Sequence, residues 1–217
     1  MCGICGFTGY RQDQKTVIER MMKAIEHRGP DSEGSFCREK ITLGFRRLSI
    51  IDLEDGQQPM ESADGNLHIV FNGEIYDYKE LRAELETFGI SFCTHSDTEV
   101  LVNTLQQYGE KALDKLRGMF GFAVWNEQEQ SLMLARDFFF IKPVYYAEID
   151  GHFVFASEIK SILAFPGYER KVNQKALEQY LSFQYSPLEE TFFRGIYKLM
   201  PGHMLLYKNG NYEIKTY

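Results

Sequence analysis

MFGFAVWNEQEQSLMLARDFFFIKPVYYAEIDGHFVFA, residues 119–156, decides the fold class. Met119 to Trp125, Ser131 to Arg136, Val144 to Ile149 and His152 to Ala156 each read as a strand, dense in aromatic and β-branched residues. Asp150-Gly151, between the last two, is the dipeptide selected by a two-residue hairpin turn with positive φ. Strands joined this closely pair antiparallel, and the β-α-β alternation of a doubly wound parallel sheet is missing. Outward toward the amino terminus, Cys2 to Gly9, Ile41 to Leu48 and Leu67 to Phe71 read as further strands.

Helical periodicity lies between them. Val17, Ile18, Met21, Met22 and Ile25 form one face, stopped by Gly29-Pro30. Tyr78 to Phe88 places Leu81, Leu85 and Phe88 on one side. Ser96-Asp97-Thr98-Glu99 is a capping box ahead of Val100, Leu101 and Leu105, and a short helix spans Ala112 to Leu116. Toward the carboxyl terminus, Ser157 to Phe165 and Gln174 to Phe183 are helical. Met204 to Tyr207 and Tyr212 to Tyr217 are strands joined by a turn at Asn209-Gly210. The class is therefore α+β with antiparallel sheet. Ile214 to Tyr217 still reads as strand without a closing helix, so further chain is expected beyond it.

The 217 residues suit one generous domain, and a net charge of −7 without a basic run argues against nucleic acid. Apolar stretches are too short to span a bilayer, and no basic segment with an apolar core marks a secretory signal. The 4 cysteines are too few for a disulfide framework. A reducing cytosol, with Cys5, Cys37 and Cys93 as buried free thiols, is the expected setting.

Cys2 has the greatest chemical leverage. Methionine before a small residue is commonly trimmed, which leaves Cys2 with a free α-amine. That amine has an ordinary pKa of about 7.7–8.0 and so serves as a base near neutrality, on the same residue as an intrinsically nucleophilic thiol. Against this stands a second residue of no special role. A redox Cys2-Gly3-Ile4-Cys5 pair lacks the preceding strand-to-helix unit, and a zinc site lacks a second close pair of ligands. Elsewhere, His27 to Asp31 reads as a helix cap with basic residues on the dipole. Arg46-Arg47 reads as a surface charge pair, Asn72-Gly73 as a turn, and Asp97 as a favourable first-turn residue.

In order along the chain, the matching segments are Met1-Cys2-Gly3, His27-Arg28-Gly29-Pro30-Asp31-Ser32, Arg47-Leu48-Ser49-Ile50-Ile51-Asp52 and Phe71-Asn72-Gly73-Glu74-Ile75-Tyr76. Ser96-Asp97-Thr98-Glu99-Val100, Arg117-Gly118-Met119-Phe120 and Phe155-Ala156-Ser157-Glu158-Ile159-Lys160 continue the series. Together they resemble the class II glutamine amidotransferase domain at the amino terminus of glutamine-dependent asparagine synthetases, an N-terminal-nucleophile hydrolase family.

The resemblance spans nearly the whole chain. It implies a four-layer αββα fold with two stacked antiparallel sheets, residues 1–217 forming the amidotransferase domain. It further implies that Cys2 attacks the glutamine side-chain amide, with Asn72 and Gly73 as oxyanion donors. Arg47 matches the position that meets the substrate carboxylate, Glu74 and Asp97 those that meet its ammonium, and Ile51 belongs to the same binding set. No metal and no cofactor are implied for this domain. ATP and Mg2+ belong to a C-terminal synthetase domain, whose Ser-Gly-Gly-x-Asp-Ser loop does not occur here. The partners implied are L-glutamine, that domain and, as a homodimer, a second copy of the chain.

Met119 matches the start of the family's ammonia tunnel, although a core methionine explains it equally well. One segment departs from the family. Where asparagine synthetases carry Gly in Arg-Asp-x-x-Gly-Ile-Lys-Pro, this chain has Phe140. If that position needs positive φ, the substitution strains it, and Phe138 to Phe140 are expected to face the synthetase domain. Rings all buried within this domain would refute that. Two other readings stay open, a non-catalytic glutamine-binding module and an amidotransferase serving a different acceptor.

Overall fold

The computed structural model describes residues 1–48 and 56–217. The amino-terminal part comprises β1 (Gly3–Thr8), α1 (Gln14–Ala24), β2 (Ser32–Cys37), β3 (Ile41–Arg47), β4 (Met60–Glu61) and β5 (Leu67–Ile75). Next come α2 (Tyr78–Thr87), α3 (Asp97–Tyr108), β6 (Gly118–Asn126), β7 (Ser131–Arg136), β8 (Tyr145–Ile149) and β9 (His152–Ala156). The chain ends with α4 (Ile159–Leu163), α5 (Gln174–Phe183), β10 (Ile196–Lys198), β11 (His203–Lys208) and β12 (Asn211–Thr216).

The strands form two six-stranded antiparallel sheets, ordered β10-β8-β9-β1-β3-β2 and β12-β11-β7-β6-β5-β4. Ile4, Leu43 and Phe45 of the first meet Val70, Trp125 and Leu134 of the second in the central core. The outer face of the first sheet packs Phe7 and Val154 against Ile18, Met21 and Ile162 of α1 and α4. The outer face of the second packs Phe71 and Phe122 against Leu81, Leu85 and Leu101 of α2 and α3. The four-layer αββα order follows from these three cores, because each sheet must bury both faces. Among the described residues, no helix is long and apolar enough to cross a membrane.

Turn chemistry acts where the sequence places it. Asp150 and Gly151 have φ 49 and 80, and Asn209 and Gly210 have φ 53 and 80, the pair of positive values a tight hairpin requires. The cap of α3 departs from the expected box. Ser96 Oγ accepts the Thr98 N–H at 3.1 Å, but Glu99 turns away to accept the Cys93 and Thr94 N–H groups, each at 2.7 Å.

Other expectations need correction. Phe88 is exposed at the end of α2, and Cys93 is an exposed thiol; of the three cysteines expected in the core, Cys5 alone is fully buried. Asn72-Gly73 is no turn, since β5 runs on to Ile75 and pairs Asn72 with Gly121 and Gly73 with Phe120. The strands missed from sequence, β2, β4 and β10, all lie at sheet edges. An edge strand is half solvated and short, so Ser-Glu-Gly-Ser-Phe-Cys carries no continuous apolar signal.

Phe140 has φ 65, the left-handed region that costs a side chain about 1–2 kcal/mol. Its ring lies under the Arg136 guanidinium, 3.8 Å from ring centre to carbon. Phe138, Phe139 and Phe140 are all exposed.

Candidate active site

The site forms where β1 and β3, neighbours in one sheet, meet β5 of the other. Gly3 opposes Arg46 in the β1–β3 register, so Cys2 sits just beyond the first pair, beside the end of β3. The Leu48 N–H lies 3.5 Å from Cys2 Sγ, and the thiol reaches the Leu48 carbonyl at 3.6 Å. Burial pushes the Cys2 thiol above its usual value, outweighing the Leu48 N–H and the nearby positive charges of the amino terminus, Arg47 and Lys142. A thiol so placed is protonated at rest and needs a base at the moment of attack. Cys5, wholly buried, is pushed up to about 12 and is inert.

Arg28 is the residue whose role the sequence concealed. Read as a helix cap, it instead donates from Nε to the Cys2 carbonyl at 2.8 Å and from Nη1 to Glu158 at 3.0 Å. Burial favours neutral Glu158, yet hydrogen bonds from Arg28, His27 and Lys160 outweigh it and hold the carboxyl below its ordinary range. Ser157 accepts the Ile4 N–H at 3.0 Å and donates its own N–H to the Ile4 carbonyl at 2.8 Å. The segments 27–31 and 155–160 thus clamp the first residues of β1. Gly29 lies so close to the Arg46–Arg47 backbone that a Cβ there would collide with it.

Arg46 and Arg47 are no surface pair, for both are buried. Adjacent strand residues point to opposite faces, and that separates their tasks. Arg46 donates to the Gly29 carbonyl at 3.1 Å and pairs with Glu33, while Arg47 lines the cavity beside Cys2.

That cavity has a volume of about 80 Å³. It brings together Cys2, Arg47, Asn72, Gly73, Glu74 and Asp97. Ile51 lies outside the described residues. Asn72 is 1 % exposed, and its Nδ2 group has no hydrogen-bond partner among the described residues. A buried donor without an acceptor costs about 1–3 kcal/mol, so an acceptor entering the cavity beside this amide would gain by meeting it. Gly73 must be glycine, because any Cβ would meet the Met119 carbonyl and lie 2.8 Å from Phe120 Cα.

Asp97 caps the cavity from the first turn of α3 and accepts the Ile75 N–H at 3.0 Å. Burial raises its carboxyl above the usual value, with the neighbouring Glu74 charge adding to the rise and the Ile75 and Thr98 N–H groups opposing it. Gln58, which sequence reading passed over, braces the floor. Its Nε2 donates to the Phe71 carbonyl and Thr98 Oγ1, each at 3.2 Å, and its Oε1 accepts the Phe71 N–H at 2.6 Å. Met119 is half-buried opposite Glu74 in the β5–β6 register. Among the described residues, no group of three or more His, Cys, Asp or Glu side chains is placed to hold a metal ion.

The arrangement offers a thiol, a buried amide donor, two cations and two carboxylates in one small cavity. Such a set suits acyl chemistry on a zwitterionic amide. Comparison with known proteins agrees. The glutamine amidotransferase domain family matches residues 1–217. Asparagine synthetase [glutamine-hydrolyzing] 1 of Bacillus subtilis (strain 168) is 45% identical over 223 residues, covering 99% of this chain and 35% of that protein. Amidase chry2 of Gibberella zeae is 37% identical over 221 residues, covering 95% of this chain and 32% of that protein. The chain thus spans about a third of the length of these curated relatives. Among solved structures, the B. subtilis glutamine phosphoribosylpyrophosphate amidotransferase complexed with ADP and GMP superposes with a TM-score of 0.73 at 19% identity. That match covers 99% of this chain and 49% of that one, and supports the fold.

Proposed function

The chain belongs to the glutamine amidotransferase domain family, and from that premise we propose that it hydrolyses free glutamine to glutamate and ammonia with Cys2 as nucleophile. The observation that carries the reading is the buried Asn72 Nδ2, without a hydrogen-bond partner among the described residues, in the same cavity as the Cys2 thiol. Met1 lines that cavity and holds the α-amine one residue away from where it is needed. Removal of Met1 opens the cavity and places the base on Cys2 itself.

The thiol then gives its proton to the α-amine as sulfur attacks the amide carbon. The oxyanion that forms accepts from the Asn72 side-chain amide and the Gly73 N–H. The α-ammonium passes its proton to the departing nitrogen, ammonia leaves, and a thioester remains. Water, deprotonated by the same amine, cleaves the thioester and regenerates the thiol. Arg47 meets the substrate carboxylate and Asp97, with Glu74, its ammonium, which excludes amides lacking either charge.

In the longer protein the ammonia serves an ATP- and Mg2+-dependent synthesis of asparagine, performed by a C-terminal portion in the cytosol. The names of the B. subtilis relatives and their greater length support this. So do the exposed apolar side chains Leu177, Leu181 and Phe183 of α5 and Phe138 to Ile141, which offer a surface for further polypeptide.

Intact-mass analysis with an electrophilic glutamine analogue tests the reaction. Expected are loss of Met1 and one adduct that disappears in Cys2→Ala. Labelling at Cys5 or Cys37, or no labelling, overturns it.

A further inference from the structure

One charged residue in the cavity has no place in the scheme above. Lys142 is 6 % exposed, lines the cavity with Met1 and Cys2, and points its ammonium at the Met1 thioether, Nζ to Sδ 3.4 Å. Among the described residues it makes no ion pair, and a thioether is a weak acceptor. Burying an ammonium on so poor a partner is costly.

The fold nevertheless takes trouble to hold it there. Asp137, itself buried, accepts the Phe139 and Ile141 N–H groups with Oδ1 at 2.9 and 3.0 Å. Its Oδ2 accepts the Lys142 N–H at 2.9 Å and the Phe120 N–H at 3.3 Å. Residues 138–142 are thereby folded back toward the amino terminus, 141 positions away in sequence.

Resting on the glutaminase reading, we infer that Lys142 is a positioning residue whose charge keeps the Cys2 α-amine unprotonated after Met1 is lost. The charged groups around the amino terminus divide the work. Arg28 is engaged by the Cys2 carbonyl and Glu158, Arg47 stands at the thiol, and Asp31 opposes the cations from the loop before β2. Lys142 approaches from the 137–142 loop and loses its thioether partner when Met1 leaves. Its ammonium then repels any proton on the neighbouring amine, leaving a free base to receive the thiol proton. The same repulsion drives that proton onward to the departing nitrogen. In the Met1-bearing chain the terminal amine is already lowered, first by burial, with Arg28 and Lys142 adding to the effect against Cys2 and Asp31.

The test is the pH dependence of kcat/KM for glutamate release by the wild-type chain, Lys142→Met and Lys142→Arg. In Lys142→Met the acid limb should move to higher pH by about one unit, with KM for glutamine unchanged and the rate recovered at alkaline pH. Lys142→Arg should restore the wild-type limb. The pH profile of Cys2 alkylation by iodoacetamide, which needs no turnover, should shift in the same sense. A Lys142→Met limb coincident with wild type, or a raised KM with an unmoved limb, overturns the inference. A wild-type chain that alkylates at Cys2 but releases no glutamate instead overturns the glutaminase reading.

Discussion

Replacing Asn72 by alanine should separate activity from stability. The Asn72 amide is buried at 1 % exposure and its Nδ2 has no partner among the described residues, a condition worth about 1–3 kcal/mol of lost stability. An oxyanion donor, by contrast, is worth about 10²–10³ in kcat, or ~2.7–4 kcal/mol, because it acts only once the tetrahedral intermediate forms. Asn72→Ala removes both terms. Relief of the orphaned donor offsets the packing lost with the amide, so folding stability should stay within about 1 kcal/mol of wild type. For a chain of this size that is a Tm change within about 4 °C. The kcat for glutamate release should fall about 10²–10³-fold with KM for glutamine unchanged, the pattern of an interaction made in the transition state alone. Steady-state kinetics beside a thermal melt reads both. A kcat within about threefold of wild type, or a Tm lowered by more than about 6 °C, would refute the reasoning, since the amide would then be structural.

Further outcomes follow from neighbouring groups. Asp97→Asn keeps an acceptor for the Ile75 N–H but removes the charge, so KM should rise about 10–100-fold while stability holds. In the wild type, because burial raises Asp97, protonation on acidification begins above the ordinary carboxylate range, and KM should climb there; a flat KM down to that range would exclude Asp97 from ammonium binding. At Phe140, alanine loses the ring over Arg136 and keeps the positive φ, whereas glycine also relieves the strain. Phe140→Gly should therefore melt higher than Phe140→Ala by about 0.5–1 kcal/mol in stability, and equal melting would remove the strain from the account. Arg28→Met and Glu158→Gln should couple by about 0.5–3 kcal/mol in a double-mutant cycle of stability, and strict additivity would show that their contact is idle.

Elements governed by neighbours in sequence were legible. The α1 face Val17, Ile18, Met21, Met22, the turn at Asp150-Gly151 and the Ser96 cap all depend on contacts a few residues away, and each is found in place. Strands β2, β4 and β10 were not legible, because an edge strand is specified by the partner it joins rather than by its own pattern. Asn72-Gly73 misled for the same reason. Locally the pair favours a turn, yet unbroken pairing with β6 from Leu67 to Ile75 holds it extended.

By itself the sequence determined the α+β class and the hairpins, and it singled out Cys2 as the candidate nucleophile, because a thiol and an α-amine would lie on one residue. It also brought the cavity residues within reach, through their ordered resemblance to one family. Only the tertiary structure decided that Arg28 grips the Cys2 carbonyl, that Asn72 lines one cavity with Cys2, and that Lys142 faces the amino terminus. These contacts join residues tens to more than a hundred positions apart. They exist because antiparallel pairing sets β1 between β9 and β3 while burial presses the second sheet against them. No local pattern encodes such a meeting, since its free energy comes from area and hydrogen bonds shared among segments that are strangers along the chain.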